Sequence, residues 1–260
     1  MTPLTLATDQ AGISTLALRS PLRGRKPSFA DALADPRVRL GAGTASLLVT
    51  AIAVHRDRVG RCEAVTFRAV NDLPSWLYPP AWVVMQLGTL GAAPAAAGVA
   101  WLAGDRELAG RLLASGAGTW ALSKVFKQMV RRPRPEALLP GTRVRGREAA
   151  GLGYLSGHAG VAVALSAAAF PRLGTASRAV TLSAAPIVGL TRIYVGAHLP
   201  LDVAGGAALG FAIEAALALG RRPASRKPRR GPSDSPRRPG SGPPPRPRRC
   251  QRRPGFRSPG

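Results

Sequence analysis

Between residues 40 and 219 the chain returns six times to apolar stretches almost free of charge, at 40–54, 80–103, 108–125, 157–170, 179–195 and 201–219. No other feature of the sequence restricts the fold so strongly. A hydrocarbon core of ~30 Å takes roughly 20 mostly apolar residues to cross as a helix. Within that core every backbone amide and carbonyl must find a partner inside the segment, which favours helices. Stretch 80–103 reads as the clearest span, with Trp82 and Trp101 near its ends, where amphipathic rings suit the interface. Stretches 40–54 and 157–170 are short enough to need extension or to be buried core helices. A soluble helical protein would keep a polar stripe along each surface helix. Here the charged exceptions Arg111, Lys124 and Glu214 fall within about two turns of a stretch end. The expectation is an all-α, polytopic membrane helical bundle of about six transmembrane helices, occupying residues 40–220.

Outside that core the composition changes. Residues 221–260 hold 14 Arg and Lys against one acid, Asp234, and so carry +13 of the chain's net +24. Too little apolar surface is present there to offset the entropy of ordering, so a disordered Arg/Pro-rich tail is expected. Residues 1–39 are largely polar and contain no apolar run adequate for a signal peptide, and read as a disordered cytoplasmic arm. Cys62 and Cys250 fit neither a zinc spacing nor a disulfide framework. The tail and the basic cluster Arg19, Arg23, Arg25 and Lys26 favour the cytoplasm. With six crossings both termini share that side, and segments 127–154 and 194–200 lie on the other. The arginines of 131–147 oppose the charge rule, as residues serving an anion site would. Phe256 is the tail's single aromatic, so base stacking is not indicated. Anionic lipid head groups are the better match for the tail's arginines, with no specific nucleic-acid partner.

Three polar clusters interrupt the apolar pattern: Lys127 through Arg134-Pro135, Tyr154-Leu155-Ser156-Gly157-His158, and Thr191-Arg192 through His198 to Asp202. Phosphoryl transfer needs fixed cations around the equatorial oxygens, an in-line nucleophile and an acid for the leaving oxygen. Arginine binds phosphate through a planar fork and stays charged. A histidine becomes a competent nucleophile when a carboxylate holds its other nitrogen. His198 and Asp202 are four apart, with Pro200 suited to the first turn of a helix. Taken singly, each cluster also has an ordinary explanation. Lys127–Pro135 would be a basic membrane flank, Ser156 an N-cap, Asp202 a helix-start carboxylate and His198 an interfacial side chain. His55, the third histidine, has no such neighbours and flanks the first stretch.

In combination these residues resemble the three-part signature of the phosphatidic acid phosphatase type 2 superfamily. That signature is Lys, six residues, Arg-Pro; then Pro-Ser-Gly-His; then Ser-Arg, five residues, His, three residues, Asp. Lys127 to Arg134-Pro135 and Arg192 to His198 to Asp202 keep the spacings, while Leu155 stands for the Pro and Thr191 for the Ser. Leu155 gives up a rigid φ, and no catalytic atom is lost by either change. The resemblance covers about residues 40–220. It implies a phosphate cradle of Lys127, Arg134 and Arg192, with Ser156 and the Gly157 amide as further donors. It also implies His198 as the nucleophile that becomes a phosphohistidine, Asp202 as its orienting carboxylate and His158 as the acid for the leaving oxygen. No metal and no cofactor is implied. The implied activity is hydrolysis of a lipid phosphate at the membrane, with polyprenyl diphosphate or phosphate favoured over phosphatidate or phosphatidylglycerol phosphate. A vanadium-dependent haloperoxidase, which would hold vanadate on the same residues, and a non-enzymatic membrane or polyanion-binding protein are the other readings.

Overall fold

The computed structural model describes residues 35–55, 58–147 and 151–220; the N-terminal arm and the basic tail lie outside the described residues. The described residues form helices, with no strand among them. In chain order the helices are α1 (Pro36–Val54), α2 (Arg61–Asn71), α3 (Tyr78–Met85), α4 (Ala92–Leu102) and α5 (Arg106–Val130). They continue as α6 (Pro135–Leu138), α7 (Gly157–Ala169), α8 (Thr175–Tyr194) and α9 (Pro200–Leu219).

The helix starts follow from local chemistry. The first amides of a helix lack intrahelical acceptors, and a side-chain oxygen can supply one. Asp35 accepts from the Arg37 amide at 2.8 Å, Asp105 from the Leu108 amide at 2.9 Å, and Ser156 from the Ala159 amide at 3.4 Å. At α9, Pro200 occupies the first turn and the Asp202 carboxylate reaches back to the Leu199 amide at 2.8 Å.

Helix α9 packs against α1 and α7, α7 packs against α5 and α8, and α5 against α4. The α7–α9 crossing brings backbone onto backbone: a Cβ on Gly206 would strike the Ser156 carbonyl, and one on Gly210 the Gly160 carbonyl. Small residues at helix crossings are what close packing in lipid requires, because lipid chains are as apolar as the helices themselves. The outward faces are apolar as well. Leu48, Val49 and Ile52 on α1, Val99 and Leu102 on α4, and Val180 and Leu182 on α8 are all exposed. The architecture is therefore an all-α membrane helical bundle.

All six apolar stretches are helical. Two of the helices, α1 and α9, are long and apolar enough to cross a membrane. The segment Ser75–Gly88 with Ala92–Leu102 makes a third if a bent pair counts as one span. That pair corrects the expectation of one continuous span over 80–103: the chain breaks after Gly88 and bends by 68°. The chain packs tightly at the break: a Cβ on Gly88 would lie 2.5 Å from the His158 carbonyl oxygen. The 13 residues of α7 make a rod of only ~20 Å, buried along most of its length, in keeping with the buried-core reading of stretch 157–170. Helix α5 runs on past Val125 to Val130 and so carries Lys127 on its last turn. Helix α2 answers to none of the six stretches. It is amphipathic, with Glu63, Phe67 and Asn71 buried at every fourth position.

Candidate active site

The site lies where the ends of α5 and α8 meet the starts of α7 and α9. Helix α5 closes on Arg131 in the left-handed region (φ 55°). Lys127, on its last turn, donates to the carbonyls of Leu152 and Gly153 at 2.9 and 3.2 Å. Arg134 caps α6 and donates from Nε to the Gly151 carbonyl (3.0 Å) and from Nη1 to the Ala197 carbonyl (2.8 Å). The approach to α7 is held by three contacts: the Gly153 amide to the Arg132 carbonyl (2.7 Å), the Ser156 amide to the Asp202 carbonyl (2.8 Å), and the Tyr154 and Thr50 hydroxyls (2.9 Å). Tyr154 and Leu155 are fully buried, so at Leu155 burial supplies the rigidity that a proline ring would have given. Arg192, buried on the last turn of α8, places Nη1 3.1 Å from the Met85 sulfur. Gly196, at φ 76°, then turns the chain toward His198.

These elements enclose a cavity of about 270 Å³ whose wall includes Lys127, Arg134, Gly157, His158, Arg192 and His198. Lys124, Ser123, Trp120 and the turn Gly88-Thr89-Leu90 complete it, and among the described residues no carboxylate lines it. A wall of four cations and two imidazoles in a partly enclosed space is an anion site. Two of the expected residues sit behind this wall. Ser156 is fully buried, with its hydroxyl facing the Ala159 amide. Asp202 is fully buried below His198, with Oδ2 3.8 Å from Nδ1, too long for a hydrogen bond. Both Asp202 oxygens are engaged elsewhere, Oδ2 by the Leu199 amide and Oδ1 by Arg132 at 2.8 Å. His198 Nδ1 itself has no hydrogen-bond partner.

Burial, reinforced by Lys127, Arg192, Arg134 and His158, holds the His198 imidazole well below its ordinary pKa. It is therefore neutral at pH 7, as a nucleophile must be. A phosphate arriving in the cavity would offset those same cations.

Sequence reasoning missed Lys124 as a wall residue, the Gly88–Leu90 turn, and the pair Glu63 and Arg132 beneath the site. Lys124 was visible as a charge one turn before Lys127 on the same helical face. The Glu63–Arg132 pairing spans 69 residues and leaves no local signal.

An apolar helical bundle with a cationic, histidine-bearing cavity at its helix ends defines the class of the protein: a membrane helical protein with an anion site. The family model described as PAP2 superfamily matches residues 108–225. Two crystal structures share the fold. LpxE from Aquifex aeolicus is 22% identical with a TM-score of 0.54, covering 60% of this chain and 93% of that one. The first transmembrane PAP2-type phosphatidylglycerolphosphate phosphatase from Bacillus subtilis is 20% identical with a TM-score of 0.53, covering 70% and 94%. Comparison with curated proteins gives no match.

Proposed function

We propose that this protein is an integral membrane lipid phosphatase working through a phosphohistidine on His198. One observation carries the reading: Thr89 lines both the cationic cavity and an apolar groove of about 840 Å³ between α4, α7 and α8. A phosphate and the hydrocarbon chain attached to it can therefore be held at once.

In this reading Lys127, Arg134 and Arg192 bind the phosphate oxygens, and the Gly157 amide at the N-terminus of α7 adds a donor. With Nδ1 turned toward Asp202, Nε2 of His198 is free to attack phosphorus. The P–O bond to the lipid breaks and His158 gives its proton to the leaving oxygen. Water then attacks the phosphohistidine, losing its proton to His158, and the P–N bond breaks to release inorganic phosphate. No step calls for a metal.

A polyprenyl diphosphate or phosphate is the favoured substrate. The groove follows the 11 residues of α4, roughly 16 Å or the depth of one leaflet, and nine of the 22 residues that line it are alanine, which suits a single chain. Lys124, a turn from Lys127, offers a cation to a second phosphate. Phosphatidate and phosphatidylglycerol phosphate are the second reading. The test is phosphate release from detergent-purified protein given long-chain and short-chain polyprenyl diphosphates, phosphatidate and phosphatidylglycerol phosphate, each with and without chelator. Chelator-resistant release that is fastest with the long-chain diphosphate is expected. Release abolished by chelator, or confined to water-soluble esters, would overturn the proposal.

The positive-inside tendency supports a site on the extracytoplasmic side, with both termini and the basic tail at the cytoplasmic leaflet. Cys62 is exposed on α2 at the site's end of the bundle. In a Cys250→Ser background it is expected to react with a membrane-impermeant maleimide in intact cells. Labelling only after lysis would reverse the orientation.

A further inference from the structure

Beneath the cavity lies a charged network of which the reaction scheme above uses only Asp202. Arg132 is fully buried and lies between two carboxylates from different helices. Its Nη1 donates to Asp202 Oδ1 at 2.8 Å and to Glu63 Oε1 at 3.1 Å, while Nη2 donates to Glu63 Oε2 at 2.8 Å. Glu63 Oε1 also accepts from the Leu201 amide at 3.1 Å, which ties α2 to the start of α9. Asp202 in turn spans from Arg132, through Oδ1, to the Leu199 amide and the His198 face, through Oδ2.

We infer that Arg132 and Glu63 form a positioning clamp that fixes the Asp202 carboxylate beneath His198, an inference that rests on the phosphohistidine reading. A carboxylate pinned at one oxygen by a guanidinium and at the other by a backbone amide cannot rotate, so its Oδ2 edge stays on the imidazole. Lysine could not do the same, because the fork of Arg132 serves both carboxylates in fixed geometry. The charges also fit the reaction: one guanidinium against two carboxylates leaves a net negative charge under the ring. That charge stabilises the positive charge His198 acquires on attacking phosphorus. The clamp also gives α2 a purpose. Phe67 seats that helix against Ile193 and Leu199, and Asn71 donates to the Tyr194 carbonyl at 3.0 Å, so Glu63 is delivered by a helix anchored to the same loop that carries His198.

The test compares Glu63→Gln and Arg132→Lys, each alone and with Asp202→Asn, by kcat, KM and thermal melting in detergent. Each single variant is expected to lower kcat at least about tenfold with KM changed less than about twofold. In the Asp202→Asn background neither should reduce the residual kcat further, because all three act through one carboxylate. Losses that multiply with Asp202→Asn, or that follow only the melting temperature, would assign a structural role and overturn the clamp. Should the single variants fail to fold, the paired Arg132→Met, Glu63→Leu protein leaves neither of its own positions charged. Wild-type kcat in that folded pair would refute the inference. A wild type that releases no phosphate from any substrate fails the phosphatase reading itself and takes the clamp with it.

Discussion

His198→Ala is expected to reduce phosphate release by at least about 10⁴-fold while leaving the protein folded. The two halves of this prediction have separate grounds. The side chain lies on the cavity wall and its Nδ1 makes no hydrogen bond, so its removal unravels no network. The backbone there is held independently, by the His198 amide on the Arg192 carbonyl at 3.3 Å. What is lost is the only neutral, buried imidazole backed by a carboxylate among the described residues. His158→Ala should behave differently, because an acid matters in proportion to how poor the leaving group is. Its loss should be larger for an alkyl or prenyl ester than for p-nitrophenyl phosphate, which loses only the help to the water-attack step, whereas His198→Ala should abolish both. Phosphate release measured on the two substrates decides the assignment. Retention of more than about 1% of activity by folded His198→Ala would move the nucleophile elsewhere.

The parts of the site legible in the sequence are those placed by helix ends. Lys127, His158, Arg192 and His198 reach one cavity because each lies within a turn of, or just beyond, a helix terminus, and spacing along the chain records that. The contact between His198 and Asp202 was less legible. Four residues apart across Pro200 suggested a carboxylate close enough to orient the imidazole, yet the Leu199 amide and Arg132 take the carboxylate's oxygens first. Arg132 read as part of a basic membrane flank and Glu63 carried no reading at all, since their pairing joins α2 to the end of α5 across the fold. The break after Gly88 was hidden for another reason. Hydropathy reports what a segment is buried in, and the bend sits beside a close approach of Gly88 to the His158 carbonyl that only the assembled bundle creates. Glu214 illustrates the same limit, because the sequence showed it only as a charge within about two turns of a stretch end.

In the structure Glu214 is fully buried, paired with Arg39 of α1 at 2.7 Å and with Arg111 of α5. Glu214→Ala is expected to destabilise the bundle by about 3–5 kcal/mol, because removal of one partner strands the remaining charges in a low-dielectric interior. Two guanidiniums would then face each other with nothing between them, and three helices would lose their shared anchor. The catalytic consequence should be slight in the fraction that stays folded. Glu214 lies 12 residues beyond Asp202 on α9, roughly 18 Å along the helix axis, toward the end of the bundle away from the cavity. Replacing the whole cluster by Arg39→Met, Arg111→Met and Glu214→Leu removes every stranded charge and should restore much of the stability, since apolar packing commonly matches a buried ion network. Thermal melting in detergent beside kcat per folded molecule separates the possibilities. A fall in kcat with an unchanged melting temperature would mean that this buried acid communicates with the site, and intramembrane ionisable groups that do so are functional by default. A lowered melting temperature with normal kcat, rescued in the triple variant, makes it the electrostatic lock of α1, α5 and α9 and leaves catalysis to the opposite end.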